Sequence, residues 1–356
     1  ITQYQMLRSL VGSEMCIRDR IISLKNVNKN DYYIKNQLPL KSTPYSELPL
    51  GSIKPNGWLK NQLEIMANGL TGNLDSVFSK VIGDRNGWLG GDGDGWERGP
   101  YWVDGLLPLA YLLDDKKLIE KTKPWIEWSL NNQQKNGYFG PIPFEKEPIK
   151  EQVLQKINRR DWWPHMVMLK VLKQYYMATN DKRVIELMTN YFKYQLRELP
   201  NTPLDHWTYW ANRRGGDNLM IVYWLYNITK ETFLLELGEI LYEHSHPWTD
   251  HFLKGTLIDH NSFHCVNLAQ GMKQPIIYYQ KDSDEKYIKA VKKALSDLKK
   301  YHGQPQGMYG ADEHLHGNNP NQGSEFCSSV ELLSLIHISE PTRLLSIGVG
   351  GGWGKK

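Results

Sequence analysis

Cysteine is scarce in this sequence of 356 residues: only Cys16, Cys265 and Cys327 are present. So few cysteines exclude a disulfide-stabilised scaffold, and they leave the redox compartment undetermined. Long apolar stretches are absent as well, because no run approaches the roughly 18 residues that a membrane-spanning helix needs. The sequence therefore gives no indication of a membrane partner.

Both ends of the chain differ from the rest. The segments VGSEMCIRDR (11–20) and LIHISEPTR (335–343) resemble translated sequencing-adapter read-through, and neither continues the periodicity of its neighbours. We therefore interpret residues 1–20 and 335–356 as foreign tails on a truncated chain; the alternative is an unusual pair of genuine tails. No signal peptide is visible, and a periplasmic or secreted bacterial location is favoured.

An excess of charge of either sign is also lacking once these tails are set aside. They carry six of the 43 Lys and Arg and three of the 39 Asp and Glu, so the net charge falls from +4 to about +1. A nearly neutral chain does not favour a nucleic acid or an anionic membrane as partner. About 310 residues remain, enough for one large domain or two.

Aromatic residues, in contrast, are abundant, with 13 Trp and 20 Tyr. Many stand next to Gly, Asn or Asp, and such groups stack on sugar rings and hydrogen-bond to hydroxyls. Large helical cores also use Tyr and Trp, which is the alternative interpretation. The composition favours an oligosaccharide or polysaccharide as partner.

A degenerate repeat predicts helical hairpins. In each of four copies an apolar helical stretch ends in Tyr, a short polar turn follows, and apolar residues return at helical spacing. Periods of this size built from helix pairs indicate stacked αα-hairpins. The copies begin at Tyr111, Tyr176, Tyr226 and Tyr279. The residues expected to cap the second helices are Asp115, Asn180 with Asp181, Thr229 and Asp282.

The segments between the copies favour a closed ring over an open solenoid. Loops such as NGYFGPIPF, WTYWANRRGGDN and QPQGMYGADEH are rich in Gly, aromatic residues and Asn. Equivalent loops would meet on one face of a ring. No convincing series of strands occurs in residues 50–330. We predict an all-α toroid of helical hairpins over residues 54–334, preceded by an extended lead-in at 21–53.

Two short strings near the C-terminus contain candidate catalytic groups. GMYGADEHLHG (307–317) offers Glu313 as a general acid/base, which needs a pKa raised by burial or by a nearby negative charge. Asp312 beside it can assist or replace it. The alternative for Glu313 is a solvated loop carboxylate.

The second string, GSEFCSS (323–329), places Glu325 and Cys327 two residues apart. In an extended backbone both side chains would leave the same face. A thiolate beside a carboxylate is half of a zinc site, because tetrahedral zinc takes about four ligands. The alternative is a free cysteine entering a helix, with Glu325 near the positive end of the helix dipole.

Motifs across residues 45–333 resemble glycoside hydrolase family 127, the β-L-arabinofuranosidase-like group. The similar segments are, in order, LPLGSIKPNGWLKNQLEIMANGLTGNL, GWERGPYWVDGLLPLAYLLDD, NGYFGP, WWPHMVMLKVLKQYYMATND, NRRGGDNLMIVYWLYNIT, FHCVNLAQGMKQP and GSEFCSSVELL. The resemblance implies an (α/α)6-barrel catalytic domain followed by β-sandwich domains. It also implies retaining hydrolysis with a zinc-bound cysteine nucleophile and a glutamate acid/base.

Residue by residue, the resemblance assigns Glu313 as the acid/base and Glu325 and Cys327 as zinc ligands. It places the nucleophile and a further cysteine ligand in a downstream Cys-Cys segment that this sequence does not contain. His165 and His264 match histidines of the family's sugar pocket. The substrate is left open, because DEHLHG differs from the form of characterised arabinofuranosidases. The GGDN turn lies where the family has a Gly-Gly-x-Asn turn, and its Asn218 is an expected sugar contact.

Other candidates follow from the residues themselves. Trp102 and Asp104 open a helix and are expected sugar contacts. Cys265 lies in an apolar helical stretch and is interpreted as a core residue. Asp92 and Asp94, in GGDGDGWE, are interpreted as a turn, since a twelve-residue calcium loop does not follow.

The sequence thus predicts the catalytic domain of a retaining glycosidase that acts on a terminal, arabinofuranoside-like sugar of plant-type glycans. One alternative is a polysaccharide lyase, or another toroidal carbohydrate enzyme, with His and Tyr as base and acid. Another is a non-catalytic, carbohydrate-binding helical protein. The oligomeric state is left open.

Overall fold

The computed structural model describes residues 33–335, apart from 44–45, 259–262, 306, 320 and 322. Its residues form two compact units. The first unit contains the described residues of 32–38 and 46–246, and the second unit those of 39–45 and 247–335. The predicted catalytic domain, 54–334, includes parts of both units.

The first unit consists of helices joined by irregular segments. A short 3-10 helix, Gly87–Leu89, precedes α4. The α-helices of this unit are α1 Gly57–Asn68, α2 Leu70–Val77, α3 Ser79–Ile82, α4 Arg98–Leu113, α5 Lys116–Asn131, α6 Trp162–Thr179, α7 Arg183–Glu198, α8 Trp210–Arg213, α9 Gly215–Thr229 and α10 Phe233–His244.

The described part of the second unit is also helical. Two isolated β-bridges, Gly303 with Tyr309 and Ala311 with Leu315, lie in the loop before its last helix. The α-helices of this unit are α11 Trp248–Lys254, α12 Cys265–Gly271, α13 Lys273–Asp282, α14 Glu285–His302 and α15 Phe326–Ser334.

Consecutive helices form the four predicted hairpins, α4 with α5, α6 with α7, α9 with α10, and α13 with α14. The first helices α6 and α9 are apolar around most of their circumference and are buried on most faces. Their partners α7 and α10 are amphipathic and bury one stripe of apolar residues. In these two hairpins the core therefore lies mainly on the first helix.

The same turn closes all four hairpins. The first helix ends in each copy on a residue with left-handed backbone, Asp114, Asn180, Lys230 or Ser283, with φ of 54–59°. The N–H of this residue donates to the carbonyl four residues earlier. In the last three copies that carbonyl belongs to the repeated tyrosine. This cap satisfies a free carbonyl at the helix end and fixes the direction of the turn.

The predicted caps of the second helices are confirmed in part. Asp115 caps α5 by accepting a hydrogen bond from the backbone N–H of Leu118, and Asp181 accepts one from that of Arg183. The prediction for Asp282 is wrong, because Asp284 caps α14 instead. Asp282 still lies in the last turn of α13, and its carboxylate accepts a hydrogen bond from the hydroxyl of Tyr287.

The described part of the lead-in, residues 33–43 and 46–53, contains no helix. In the first unit, the Leu38 carbonyl accepts a hydrogen bond from the hydroxyl of the repeated Tyr226. In the second unit, the Lys41 N–H donates to the Gln280 carbonyl, and the Lys41 ammonium lies 4.3 Å from the centre of the Tyr279 ring. The repeated tyrosines therefore also anchor the lead-in.

The N-terminal tail and residues 336–356 of the C-terminal tail lie outside the described residues. Leu335, the first residue assigned to the second tail, is fully buried. Its N–H donates to the carbonyls of Glu331 and Leu332, so this residue completes the end of α15. None of the described helices has both the length and the hydropathy needed to cross a bilayer.

The left-handed caps predict the effect of one substitution. Lys230 is exposed and has φ of 59°, a conformation that strains any residue with a Cβ. We expect Lys230→Gly to raise the free energy of unfolding by up to about 1 kcal/mol in urea denaturation, since the relief of strain outweighs the added freedom of the unfolded chain. Lys230→Ala keeps the Cβ and is the matched control. A loss of stability in the glycine variant would contradict the cap geometry.

Candidate functional site

Two backbone hydrogen bonds in the second unit hold the starts of α12 and α15 beside the same loop. The N–H of Cys265 donates to the carbonyl of Asp312, and the N–H of Glu325 donates to the carbonyl of Ala311, each at 3.0 Å. Because these carbonyls belong to consecutive residues, the first residue of α12 and the residue that precedes α15 must lie close together. The loop of the GMYGADEHLHG string thus assembles the site.

Two buried side chains, those of Tyr309 and His302, hold the loop of the GMYGADEHLHG string in place. The hydroxyl of Tyr309 donates to the carbonyl of Cys265 at 2.8 Å. His302 accepts a hydrogen bond at Nδ1 from the N–H of Gly317, and its Nε2 lies 2.7 Å from the carbonyl of Leu257. A neutral imidazole that accepts at Nδ1 carries its proton on Nε2, so this ring donates to Leu257. Both side chains are buried, which makes the loop a rigid support.

The Glu325 carboxylate is the centre of the site. Its Oε2 lies 3.1 Å from Nε2 of His264 and accepts a hydrogen bond of 2.8 Å from Sγ of Cys265. The same Nε2 of His264 lies 3.5 Å from Oε2 of Glu313. One ligand atom from each of His264, Cys265 and Glu325 lies within 4.8 Å of the other two, and we call these three residues the Glu325 cluster.

Cys327 lies beside this cluster, half-buried, as the second residue of α15. Burial, and then the neighbouring Glu325 carboxylate, raise the pKa of Cys327 to about 12. The same two causes raise the pKa of Cys265 well above its usual range. Both thiols are therefore neutral near pH 7 as long as no cation lies beside them.

The donor types match a metal site. Imidazole nitrogen, thiol sulfur and carboxylate oxygen are the three classes of ligand that zinc takes from proteins. A cation among them would compensate the two features that make the thiols hard to ionise, burial and the adjacent negative charge. The Glu325 cluster can therefore hold a metal ion.

The structure adds two donors to the pair that the sequence identified. The predicted core position of Cys265 is confirmed, since it is fully buried, but its sulfur also points at Glu325. His264 stands at the N-cap of α12 without capping it by its side chain, and its ring contacts Glu325 instead. The extended backbone assumed for Glu325 and Cys327 is wrong, because α15 begins between them at Phe326.

Glu313 is placed next to the cluster but is largely solvated. Its side chain is 74 % exposed, so the burial that we expected for a general acid is not found. Asp312 is also exposed, and its Oδ1 accepts a hydrogen bond from the N–H of His314 within the loop turn. Of these two carboxylates, only Glu313 is within reach of His264.

Among the expected sugar contacts of the first unit, His165 is fully buried in α6. Its Nδ1 lies 2.7 Å from the carbonyl of Asp161 and its Nε2 lies 2.8 Å from the carbonyl of Phe139. Its ring stacks on Tyr191 at 5.7 Å between centres. Burial lowers the pKa of His165 from 6.5 to about 4, although the two carbonyls oppose the shift.

The other three candidates of the first unit also have protein partners. Trp102 is buried against Trp125, and its indole N–H donates to the carbonyl of Thr71. Asp104 accepts hydrogen bonds from Lys170 and Gln174 on α6. The amide of Asn218 donates to the side chain of Gln195. These contacts join helices rather than joining the candidates to one another.

The GGDGDGWE segment forms a turn in which both carboxylates are paired with arginine. Asp92 makes a two-fold contact with Arg85, and Asp94 pairs with Arg98. Asp94 also accepts a hydrogen bond from the N–H of Gln155. Both carboxylates are therefore engaged by protein groups within the described part of the chain.

Known proteins similar to this chain belong to the glycoside hydrolases. The family described as "Beta-L-arabinofuranosidase, GH127 catalytic domain" matches residues 34–338. No curated protein gives a match. A solved glycoside hydrolase is similar with a TM-score of 0.60 and 11% identity, over 88% of this chain and 52% of that chain. A solved GH127 β-arabinofuranosidase is similar with a TM-score of 0.57 and 15% identity, over 89% and 52%.

The chain spans about half the length of these two solved proteins. At such identities the likeness concerns the fold alone. This likeness confirms the predicted fold class, an all-α toroid of helical hairpins.

The environment of His165 predicts a loss of stability in acid. The histidine has its ordinary pKa of 6.5 in the unfolded chain and a pKa of about 4 in the folded one, so the unfolded state binds more protons between these values. Stability should therefore fall as the pH drops from about 6.5 to about 4, by about 3 kcal/mol. Denaturant unfolding at several pH values measures this loss.

A matched pair of variants isolates the contribution of this residue. His165→Gln removes the titrating group, so its unfolding free energy should depend less on pH in that window. His244→Gln, which changes an exposed histidine, should retain the full dependence. An unchanged pH dependence in His165→Gln would contradict a neutral, buried imidazole.

Proposed function

We propose a function from one premise: the chain belongs to the β-L-arabinofuranosidase family of GH127 catalytic domains, which it matches over residues 34–338. The proposed function is hydrolysis of a terminal arabinofuranoside-like sugar from a plant-type glycan, with net retention of configuration. The observation that carries this proposal is the convergence of Glu313, His264, Cys265 and Glu325 at one place in the second unit.

Glu313 has the role of acid and base in this proposal. Its exposed carboxylate projects from the supported loop, where it can protonate the oxygen of the departing group and later deprotonate water. The carboxylate lies 3.5 Å from Nε2 of His264, at the edge of the proposed metal site. A bound sugar would also exclude water from Glu313 and supply the partial burial that suits a general acid.

The proposed cofactor is zinc. Glu325 and Cys327 are the ligands expected from the sequence, and Cys265 and His264 supply the sulfur and nitrogen that complete a set of about four. Bound there, zinc would keep a neighbouring cysteine as a thiolate, the form in which sulfur is a nucleophile. Tyr309 helps to hold these ligands in place, because its hydrogen bond to the carbonyl of Cys265 fixes the backbone there.

The nucleophile in this proposal is a cysteine outside this chain. Cys265 is unsuited to the role because it is fully buried, and the sequence contains no adjacent pair of cysteines. The activity therefore belongs to the proposed whole enzyme, of which this chain supplies the acid/base and part or all of the metal site.

Metal content tests the proposed donor set. We expect the purified chain, loaded with zinc and dialysed, to retain about one ion per molecule, measured by mass spectrometry. Cys265→Ser and Cys327→Ser should each lower the affinity for zinc at least about tenfold, since even the loss of a residue that only supports a ligand has an effect of this size. Cys16→Ser is the matched control. Equal zinc retention in all three variants would contradict the site.

Hydrolysis of an aryl L-arabinofuranoside tests the role of Glu313. We expect no turnover above background by this chain, and turnover when native downstream sequence is attached. In that longer protein Glu313→Gln should lower kcat by about 10²–10⁴-fold, and Asp312→Asn, the matched control, should have little effect. Substantial hydrolysis by the present chain, lost on Glu313→Gln, would show that the nucleophile lies within it.

A further inference from the structure

A second carboxylate, Glu97, lies in an aromatic environment in the first unit. Glu97 immediately precedes α4, and its Oε2 accepts a hydrogen bond from the indole N–H of Trp163 on α6. Arg214 approaches the same oxygen at 3.8 Å. Among the described residues no group hydrogen-bonds to the other carboxylate oxygen, Oε1. The side chain is 23 % exposed, so it is partly accessible to solvent.

Arg214 is held rigidly between two indoles. Its guanidinium carbon lies 4.4 Å from the ring centre of Trp163 and 4.5 Å from that of Trp210. Its NH1 also lies 3.3 Å from the hydroxyl of Tyr101. The arginine is only 5 % exposed, so its positive charge is covered by aromatic rings. We call Glu97, Tyr101, Trp163, Trp210 and Arg214 the Glu97 cluster.

The outer side of this cluster presents aromatic faces. Tyr101 is 37 % exposed, and its ring lies 5.9 Å from that of Trp163. Tyr209 is 51 % exposed, and the centre of its ring lies 4.5 Å from that of Trp210, with the two ring planes tilted by 32°. Tyr101 and Tyr209 are each partly exposed beside a tryptophan, and together they offer ring surface to a flat, partly apolar ligand.

A further carboxylate next to the Glu97 cluster, that of Asp161, is fully buried. Asp161 accepts hydrogen bonds from the indole of Trp96 and the hydroxyl of Thr208, and it caps α6 at the N–H of Trp163. Burial raises the pKa of Asp161, and burial together with the charge of Asp161 raises that of Glu97. Asp161 is thus used within the protein, whereas Glu97 keeps an oxygen for a ligand.

We propose that the Glu97 cluster is a carbohydrate-binding subsite. Oε1 of Glu97 accepts a hydrogen bond from a sugar hydroxyl, and the exposed rings of Tyr101 and Tyr209 pack against the apolar face of the sugar. Arg214 is a positioning residue that sets Glu97 between Trp163 and Tyr101. A carboxylate with aromatic rings suits a ligand with hydroxyl donors and flat C–H faces, which defines a neutral pyranose or furanose.

An anionic ligand fits this cluster less well. The only guanidinium in it is 5 % exposed, and the charge that reaches solvent is the negative charge of Glu97. A sulfate, phosphate or uronate would meet that carboxylate before it met Arg214. The proposal rests on the proposed function only in its ligand class, since both concern a glycan.

Sugar binding tests this inference without any catalytic readout. Saturation-transfer NMR and tryptophan fluorescence would be recorded during titration with L-arabinose and with methyl L-arabinofuranoside, on the present chain stripped of metal by a chelator. We expect saturable binding that perturbs tryptophan emission. Glu97→Gln and Tyr209→Ala should each weaken it at least about tenfold, the scale of one charge-assisted hydrogen bond or one stacking face.

Matched controls separate this site from general loss of structure. Glu127→Gln changes a carboxylate paired with Arg183 and should bind as the wild type does. Tyr209 is half exposed, so Tyr209→Ala is expected to fold even if Glu97→Gln does not. Binding that both variants leave unchanged, binding abolished by Glu325→Gln instead, or no binding by the wild-type chain would each overturn the inference. Binding that depends on Glu97 in a protein that never hydrolyses arabinofuranosides would support it and contradict the proposed function alone.

Discussion

The contact of the Glu325 carboxylate with His264 and Cys265 is the interaction on which the candidate site depends. Cys265 precedes Glu325 by 60 residues, and the two meet only because the loop after α14 binds the starts of α12 and α15 at consecutive carbonyls. Burial disfavours the thiolate of Cys265 and the adjacent Glu325 carboxylate adds to this effect, so the pKa of Cys265 is raised. Such an arrangement is unfavourable for an ionised thiol in the bare protein and becomes favourable when a divalent cation lies between the donors.

The helical hairpins were readable from the sequence because their signals are local. A tyrosine at the end of an apolar stretch, a polar turn and a returning apolar stripe indicate two helices, and the left-handed caps at Asn180 and Ser283 follow the same pattern. Cap identity was harder, since Asp282 and Asp284 both suit the turn and only the backbone selects Asp284. The lead-in was predicted as extended, but its hydrogen bonds to the repeated tyrosines carry no sequence signal.

Only half of the candidate site could be predicted from the sequence, for a related reason. Glu325 and Cys327 are close in sequence, so their pattern identified them as a pair of donors. Cys265 belongs to an apolar helix, where burial explains it completely until the loop at Asp312 brings Glu325 to its sulfur. The pair of aspartates in the glycine-rich turn shows the converse, because the arginines that pair with Asp92 and Asp94, Arg85 and Arg98, are close to them in sequence. A long-range contact decides the role of Cys265, and no local spacing contains it.

The two units therefore present different chemistry. The second unit gathers thiols, an imidazole and carboxylates that suit a cation, whereas the first unit has a half-buried carboxylate among tryptophans and tyrosines that suits a sugar. Both sites begin at helix starts, where a loop delivers the functional side chain and the helix holds it in place.

X-ray absorption at the zinc edge of the zinc-loaded chain tests the central claim, a metal held by Cys265, Cys327, Glu325 and His264, most directly. The account predicts two sulfur ligands at roughly 2.3 Å and nitrogen or oxygen ligands at roughly 2.0–2.1 Å, with one sulfur lost in Cys265→Ser. A spectrum with nitrogen and oxygen ligands only, or with one sulfur that persists in Cys265→Ser, would contradict it.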